Sequence, residues 1–575
     1  MKKKFFLVLV FLFKISVFSQ QVLNNLNTSW SSVLSGVVLC EPAITSYGFC
    51  VVTDARTVSA FSSYGNLLWE KNVGRSRNVI LQTLNDDYLL YADLNTNSLI
   101  LLNPSGTEIW NKNLGYKLYI PPFSGRDGRF FLSSGDFLEC YGINGIRKWR
   151  ISVPAQKKIN IQELPDGSIV VFLKEIEGQT KGYRISPFGE ILEEIVFAGE
   201  VSYAATSSDG ILLIFTDGSA GLFSVSDNLS ENKWVLPKKN KNAQFLVSRN
   251  SDDYIYAEML ADGIIINELN KSDGSIRHSF KIKEIFGLKI QMLYYDESGI
   301  FFMDNKSAGL YSTDGKELWC SKLPAATSKN NWNYTVYTND NHLIFCYKNW
   351  TLNAYRVIQV NNTIRNNSNK DYSSFLTIGN NFETQYSTSF SNVLIDDERI
   401  QKLRNGDYGV IEKKYHEDVV SICNAYSDFL STSDFGTRKE KSIFELDSAG
   451  FEKILNQLMF LGNRTSQNLA ANILGKTKNN SFQKVILQGI HNNGYDPDAM
   501  LLKSLEKLSV TVSYKDKTII NSICDAVYSI CFFMGRPAYN SKGKDILKNF
   551  LYPSYDAKNR EYARETLKKI IALDL

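Results

Sequence analysis

Four times in this chain a glycine is followed, four positions later, by a tryptophan. The units are Gly65-Asn-Leu-Leu-Trp69, Gly106-Thr-Glu-Ile-Trp110, Gly145-Ile-Arg-Lys-Trp149 and Gly315-Lys-Glu-Leu-Trp319. Each reads as a glycine turn leading into a short strand that carries a large aromatic. Trp30, Trp69, Trp110 and Trp149 stand 39, 41 and 39 residues apart, and Trp149, Trp234 and Trp319 are separated by 85 each, twice a unit of about 42. A period of roughly 40–45 residues is the length of a four-stranded propeller blade.

The two tryptophans missing from this count belong near residues 192 and 277, where turns do occur: Pro187-Phe-Gly189-Glu-Ile-Leu192 and Asp273-Gly274-Ser-Ile-Arg277. Within each unit, short apolar strands are joined by Asp-Gly or Asn-containing pairs, as in Ile211 to Phe215, Asp217-Gly218 and Ala220 to Val225. Such pairs accept positive φ and suit tight hairpins. Trp30 is in phase with the other tryptophans but has no inner strands before it, whereas Tyr334 to Tyr337, Leu343 to Tyr347 and Thr351 to Ile358 supply three strands with no tryptophan strand after them. The expectation is an eight-bladed β-propeller whose last blade is completed by the N-terminal strand, a closure that removes exposed sheet edges.

The combination of an Asp-Gly-type hairpin with Gly-x-x-x-Trp resembles the PQQ-like repeat of the quinoprotein alcohol dehydrogenase-like propellers, over roughly residues 21 to 360. Among non-enzymes it is similar to the propeller of outer-membrane-protein assembly. The enzymatic branch of the resemblance implies PQQ held over Ca²⁺ by Glu, Asn and Asp side chains, a catalytic Asp and a bridge between adjacent cysteines. None of the eight cysteines are adjacent, no Cys-x-x-Cys-His site occurs, and the calcium ligands fall on no motif of this sequence.

The N-terminus reads as a secretory signal at 1–19: basic Lys2 to Lys4, apolar Phe5 to Phe13, and small-residue cleavage after Ser19. The apolar run is shorter than the ~20 residues of a spanning helix. The propeller is expected at 20–360, an Asn-rich linker at 361–400 and a helical domain at 401–575. In the last, Phe451, Ile454, Leu455, Leu458 and Met459, then Phe482, Val485, Ile486 and Ile490, then Ile519, Ile520, Ile523, Val527 and Ile530 recur at helical spacing. Gly462 and Gly475 suit helix C-termini, and Asp496-Pro497 reads as a cap with proline at the first helical position. The series of short helices loosely resembles HEAT-type repeats.

Little chemistry emerges. A net charge of +4 calls for neither nucleic acid nor an anionic surface. Only four histidines occur, at 278, 342, 416 and 491; His416-Glu417 lacks the second histidine of a zinc-protease helix, and His278 holds a repeat position that elsewhere carries tryptophan. No phosphate-binding loop or nucleophile elbow is present. The Asp-Gly pairs read as turns rather than calcium ligands, and Cys40 and Cys50, flanking a hairpin turn, as buried thiols. Pro237 to Asn242 and Lys157-Lys158 are basic loops, and Ile519 to Phe533 is the apolar core helix of its domain. No catalytic, cofactor or metal residue is assigned; the marked positions are the repeat residues Trp30, Gly65, Trp69, Gly106, Trp110, Gly145, Trp149, Trp234, Gly315 and Trp319. The expected protein is a non-enzymatic cell-envelope scaffold, exported to the periplasm or cell surface. It holds envelope protein partners, with no cofactor, no nucleic acid and no integral membrane segment in the mature chain. The alternatives are a PQQ-dependent or other ligand-binding enzyme using the central channel, and a carbohydrate-binding surface protein suggested by the abundant Tyr and Trp.

Overall fold

The computed structural model describes residues 26–357 and 448–574, apart from short stretches such as 225–231, 283–291 and 324–331, together with several positions between 419 and 430. The signal at 1–19, the linker at 361–400, His416 and Lys157-Lys158 lie outside the described residues. Among the described residues thirty-two strands, β1 to β32 in chain order, form eight antiparallel four-stranded sheets. Seven are consecutive meanders, blades 1 to 7, at 43–72, 79–113, 123–152, 159–197, 201–235, 243–282 and 292–322. The eighth takes three strands from 332–357 and its outermost strand from the other end of the chain: β1 (Leu26–Val33) pairs antiparallel with β32 (Thr351–Val357), Leu26 opposite Val357 and Trp30 opposite Ala354. The ring is sealed as the phase of Trp30 requires.

Hydrophobic layers fill the spaces between blades. Middle strands such as Gly48–Thr53 and Thr57–Ser62 are buried at every position because a blade lies against each of their faces, which is why they read as unbroken apolar runs. Outer strands such as Leu67–Asn72 alternate between exposed and half-buried. Around the inside, Thr83 Oγ1 donates to Ile44 O at 2.6 Å, Thr206 Oγ1 to Gln162 Oε1 at 3.1 Å and Gln244 Nε2 to Leu293 O at 3.2 Å, tying the inner strands of different blades together.

Seven helices are described between Ser448 and Ala572: α1 (Ser448–Leu461), α2 (Arg464–Leu474), α3 (Asn480–Asn493), α4 (Met500–Thr511), α5 (Lys517–Met534), α6 (Pro537–Lys548) and α7 (Ala557–Ala572). Phe451, Ile454, Leu455, Leu458 and Met459 of α1, Phe482, Ile486 and Ile490 of α3, and Ile519, Ile520, Ile523, Val527 and Ile530 of α5 are all buried, with Val485 packed beside them. Among the described residues only α5 is long and apolar enough to cross a membrane, and its apolar side chains are buried among the other helices.

Gly462 and Gly475 both end helices as expected, by different backbone routes, and one boundary, at Asp496-Pro497, departs from expectation. Gly475 caps α2 with an ordinary right-handed φ of −70°, so it ends the helix without left-handed backbone; Gly462, after α1, does adopt φ +58°. Asp496 does cap a helix, but from a distance. Its carboxylate accepts the N–H groups of Leu501 at 3.1 Å and Leu502 at 2.9 Å, while Pro497 lies in the turn before α4 instead of in its first turn.

Candidate protein-binding surfaces

The repeat residues meet across blades rather than within them. The indole N–H of Trp30 donates to Ser63 O (2.9 Å), that of Trp69 to Pro104 O (2.9 Å), of Trp110 to Ile143 O (2.7 Å), of Trp149 to Pro187 O (3.0 Å) and of Trp234 to Lys271 O (2.8 Å). Each carbonyl lies in the turn that carries the following blade's glycine. The ring then lies on that glycine: a Cβ added at Gly65, Gly106, Gly145, Gly189 or Gly274 would stand 2.5–2.9 Å from the tryptophan of the preceding blade. These glycines also hold φ between +71° and +86°. Backbone conformation and ring approach therefore demand the same residue.

Where tryptophan is missing in blade 6, two residues divide its work. His278 Nε2 lies 3.2 Å from Asp314 O, and the Phe280 ring takes the place beneath Gly315. In blade 4 the position four after Gly189 is Glu193, and Leu192 is 52% exposed on the outer strand Ile191–Phe197. Trp319 is buried against Phe301, with ring centroids 6.1 Å apart.

The Asp-Gly carboxylates close their own turns. Asp217 Oδ1 accepts the Ser219 N–H at 2.8 Å, and Asp273 Oδ1 accepts the Ser275 N–H at 2.9 Å and hydroxyl at 2.7 Å. The Lys239 hydrogen bond, followed by those of Ser219, holds Asp217 below its ordinary pKa, and the Ser275 bonds do the same for Asp273. In the basic loop, Lys238 pairs with Glu258 at 3.1 Å and Lys239 with Asp217 at 2.6 Å, so both charges are matched. Cys40 and Cys50 are free thiols, and burial pushes the Cys40 thiol up to about 11.

The helices dock on blades 2 and 3, on the face formed by the first and third hairpin turns of each blade. The apolar layer between those two blades is continuous with the helical core. Polar contacts fix the arrangement. Tyr88 donates to Phe533 O at 2.9 Å, Asn103 Nδ2 to Phe532 O at 2.7 Å, and Lys148 Nζ to Phe460 O at 2.5 Å. At its centre the turn Asn85–Asp87 reaches three ways. Asn85 bonds Gly125 O of blade 3 at 2.7 Å, Asp87 Oδ1 accepts Ser46 N–H of blade 1 at 2.7 Å, and Asp86 Oδ2 accepts the Tyr495 hydroxyl at 2.7 Å. Arg536 Nη2 donates to Asp86 O at 2.9 Å and lies 3.5 Å from Asp87 Oδ2. Burial raises the pKa of Asp86, and the Tyr495 hydrogen bond with the nearby Arg536 and Arg464 opposes the rise. None of these junction residues belongs to a spacing visible in the sequence; the only signal was a polar Asn-Asp-Asp run between two apolar strands.

What remains open is the outer rim. Exposed apolar side chains recur on outer strands of blades away from the helices: Leu67 and Leu68, Ile191 and Val196, Val235 and Ile276.

This is an eight-bladed β-propeller with a helical cap. No protein-family model and no curated protein sequence matches the chain. Solved structures do resemble it in fold. BamB from Moraxella catarrhalis aligns at 12% identity and TM-score 0.40, covering 58% of this chain and 97% of that one. Saccharomyces cerevisiae Sqt1 aligns at 12% identity and TM-score 0.42, covering 58% and 100%. A virginiamycin B lyase from Staphylococcus aureus, solved with quinupristin, aligns at 14% identity and TM-score 0.34, covering 48% and 94%.

Proposed function

We propose that this chain is a non-catalytic, exported protein-binding scaffold of the cell envelope, built on a propeller of the PQQ-like repeat type with a HEAT-like helical domain as its second module. Within this reading the propeller takes 20–360 and the helical module 401–575. The observation that carries the reading is the division of labour over the surface. The helical domain is fused to blades 2 and 3 through a shared core and the buried Arg536–Asp87 ion pair, while outer strands elsewhere on the ring expose Leu67, Leu68, Ile191, Val196, Val235 and Ile276. A rigid ring with scattered apolar side chains on exposed sheet edges suits strand or loop partners. The tight Trp–Gly contacts between blades favour a fixed platform over a moving one.

Crosslinking in intact cells, followed by mass spectrometry of the affinity-purified full chain, tests the proposal. Reproducible recovery of the same envelope proteins is expected. Recovery of none overturns it, as does a purified protein that takes up PQQ with Ca²⁺ and reduces dye.

A further inference from the structure

On the outer side of blade 3 one buried carboxylate gathers more positive charge than it neutralises. Glu139, in β12 (Phe137–Gly142), is fully buried. Its Oε1 accepts from Arg147 Nη1 at 2.8 Å and Arg150 Nε at 2.7 Å. Its Oε2 accepts the hydroxyl of Tyr141 at 3.0 Å and that of Tyr116, which comes from the connection between blades 2 and 3. Burial alone would raise its pKa; the hydrogen bonds from Tyr116, Arg147 and Arg150 reverse this and hold it below the ordinary value. Arg150 also reaches Oε1 with Nη2 at 2.6 Å, so donors from four residues fill the carboxylate's capacity.

The two arginines are half in solvent, with side chains 47% and 43% exposed. Each guanidinium has five N–H donors in a rigid fork, so most of them remain for another acceptor. Arg150 is further fixed by the Phe137 ring, 3.9 Å from its guanidinium carbon. A third cation, Lys112 of blade 2, lies 5.3 Å from the Tyr141 ring centroid; burial and then the charge of Arg147 lower its pKa. Three cations thus surround a single anion.

Cations on an outer strand usually serve to keep sheet edges from pairing. Mobile, solvated lysines do that without a buried acid, whereas burying Glu139 carries a desolvation cost and immobilises the arginines. Both arginines belong to β13 (Arg147–Ser152), the outermost strand of its blade, which pairs only with β12 among the described residues.

Resting on the scaffold reading, the geometry points to β13 as the docking edge for an acidic β-strand of a protein partner, its alternate carboxylates taken by Arg147, Arg150 and Lys112. Main-chain pairing along the edge supplies affinity, and the fixed guanidinium forks select for carboxylate.

The test uses the purified full chain and a fluorescein-labelled peptide of alternating Glu and Val, with a Lys/Val counterpart and phosphatidylglycerol vesicles as controls. The expected result is salt-sensitive binding of the Glu/Val peptide alone, weakened about tenfold or more by Lys112→Glu and by Arg147→Gln. Lys112→Glu leaves every Glu139 hydrogen bond in place and gives up the Lys112 bond to Gly145 O, so circular dichroism first establishes that each variant is folded and binding is scored on the folded ones. No binding of the acidic peptide, equal binding of both peptides, or indifference to Lys112→Glu overturns the assignment; so do vesicles that bind while the peptide does not. Photo-crosslinkers placed in cells at Ile146, beside β13, and at Ile276 of blade 6 separate the two levels. Partners captured only at Ile276 sink the blade 3 assignment and spare the scaffold, whereas capture at neither site sinks both.

Discussion

Replacing Trp149 and Gly189, singly and together, probes the contact that repeats around the ring. Trp149 is 5% exposed, donates to Pro187 O at 3.0 Å and packs against Phe131 at 5.8 Å between centroids. Trp149→Ala should therefore cost about 3–5 kcal/mol in lost burial and cavity formation. Gly189→Ala meets two penalties. Its φ of +86° costs a side-chain-bearing residue about 1–2 kcal/mol, and the new methyl group would stand 2.6 Å from the Trp149 ring, an overpacking that adds about 1–3 kcal/mol. With the ring gone, the backbone penalty remains, together with a milder approach of 3.0 Å to the Cβ of residue 149. The double variant should thus be more stable than the sum of the singles by about 1–3 kcal/mol, a coupling within the range seen for residues in contact. Urea unfolding followed by circular dichroism measures all four proteins. Strict additivity would refute the claim that the glycine is required by the neighbouring blade's ring as well as by its own turn.

Three further outcomes follow from other contacts. Because Phe280 holds the ring seat beneath Gly315 while His278 is exposed, Phe280→Ala should lower stability by about 2–4 kcal/mol and His278→Ala by under about 0.5 kcal/mol, read from the same urea curves. Burial lifts the Asp496 carboxyl to about 6, against hydrogen bonds from Leu501 and Leu502 that pull it down. With the folded value raised, its contribution is complete below the unfolded value near 3.8 and is lost as pH rises through about 6, some 3 kcal/mol in total. Asp496→Asn should remove that part of the slope between pH 4 and 7, and an unchanged slope refutes the assignment. Gly128, at φ +83°, lies against Tyr495 of the helical domain, with 2.6 Å from an added Cβ to the ring. Gly128→Ala should accordingly loosen the docked helices, seen as faster proteolytic release of the helical domain, while the ring itself persists.

The blade count was legible because one glycine answers two independent physical demands, and natural sequences have few ways to satisfy both. Its partner was not. A spacing of four residues suggests a local contact, but Trp69 lies on Gly106, not on Gly65, and only the ring geometry reveals this. Closure through Trp30 was readable from phase alone. The His278 and Phe280 substitution was half readable, since the hydrogen-bonding role follows the repeat position but the ring is supplied two residues later. Asp496-Pro497 looked like an ordinary cap because a carboxylate before a proline carries the usual signature; that Asp496 reaches Leu501 and Leu502 depends on the intervening turn, where Ala499 takes φ +54°. Asp86, Tyr495 and Arg536 were invisible because their partners lie across the junction of ring and helices, and no periodicity encodes such meetings; Glu139 was invisible because an acid inside an apolar strand does not announce the arginines of the next strand.

The seam between β1 and β32 also sets an order of events. As the chain emerges from the ribosome, β1 must wait without its ladder partner until everything up to Val357 has followed, since Leu26 pairs with Val357. Blades 1 to 7 can assemble as they appear, but the circle cannot lock until its oldest piece finds its youngest. Quality control that grips extended, unpaired strands therefore has a long window in which to hold this protein open.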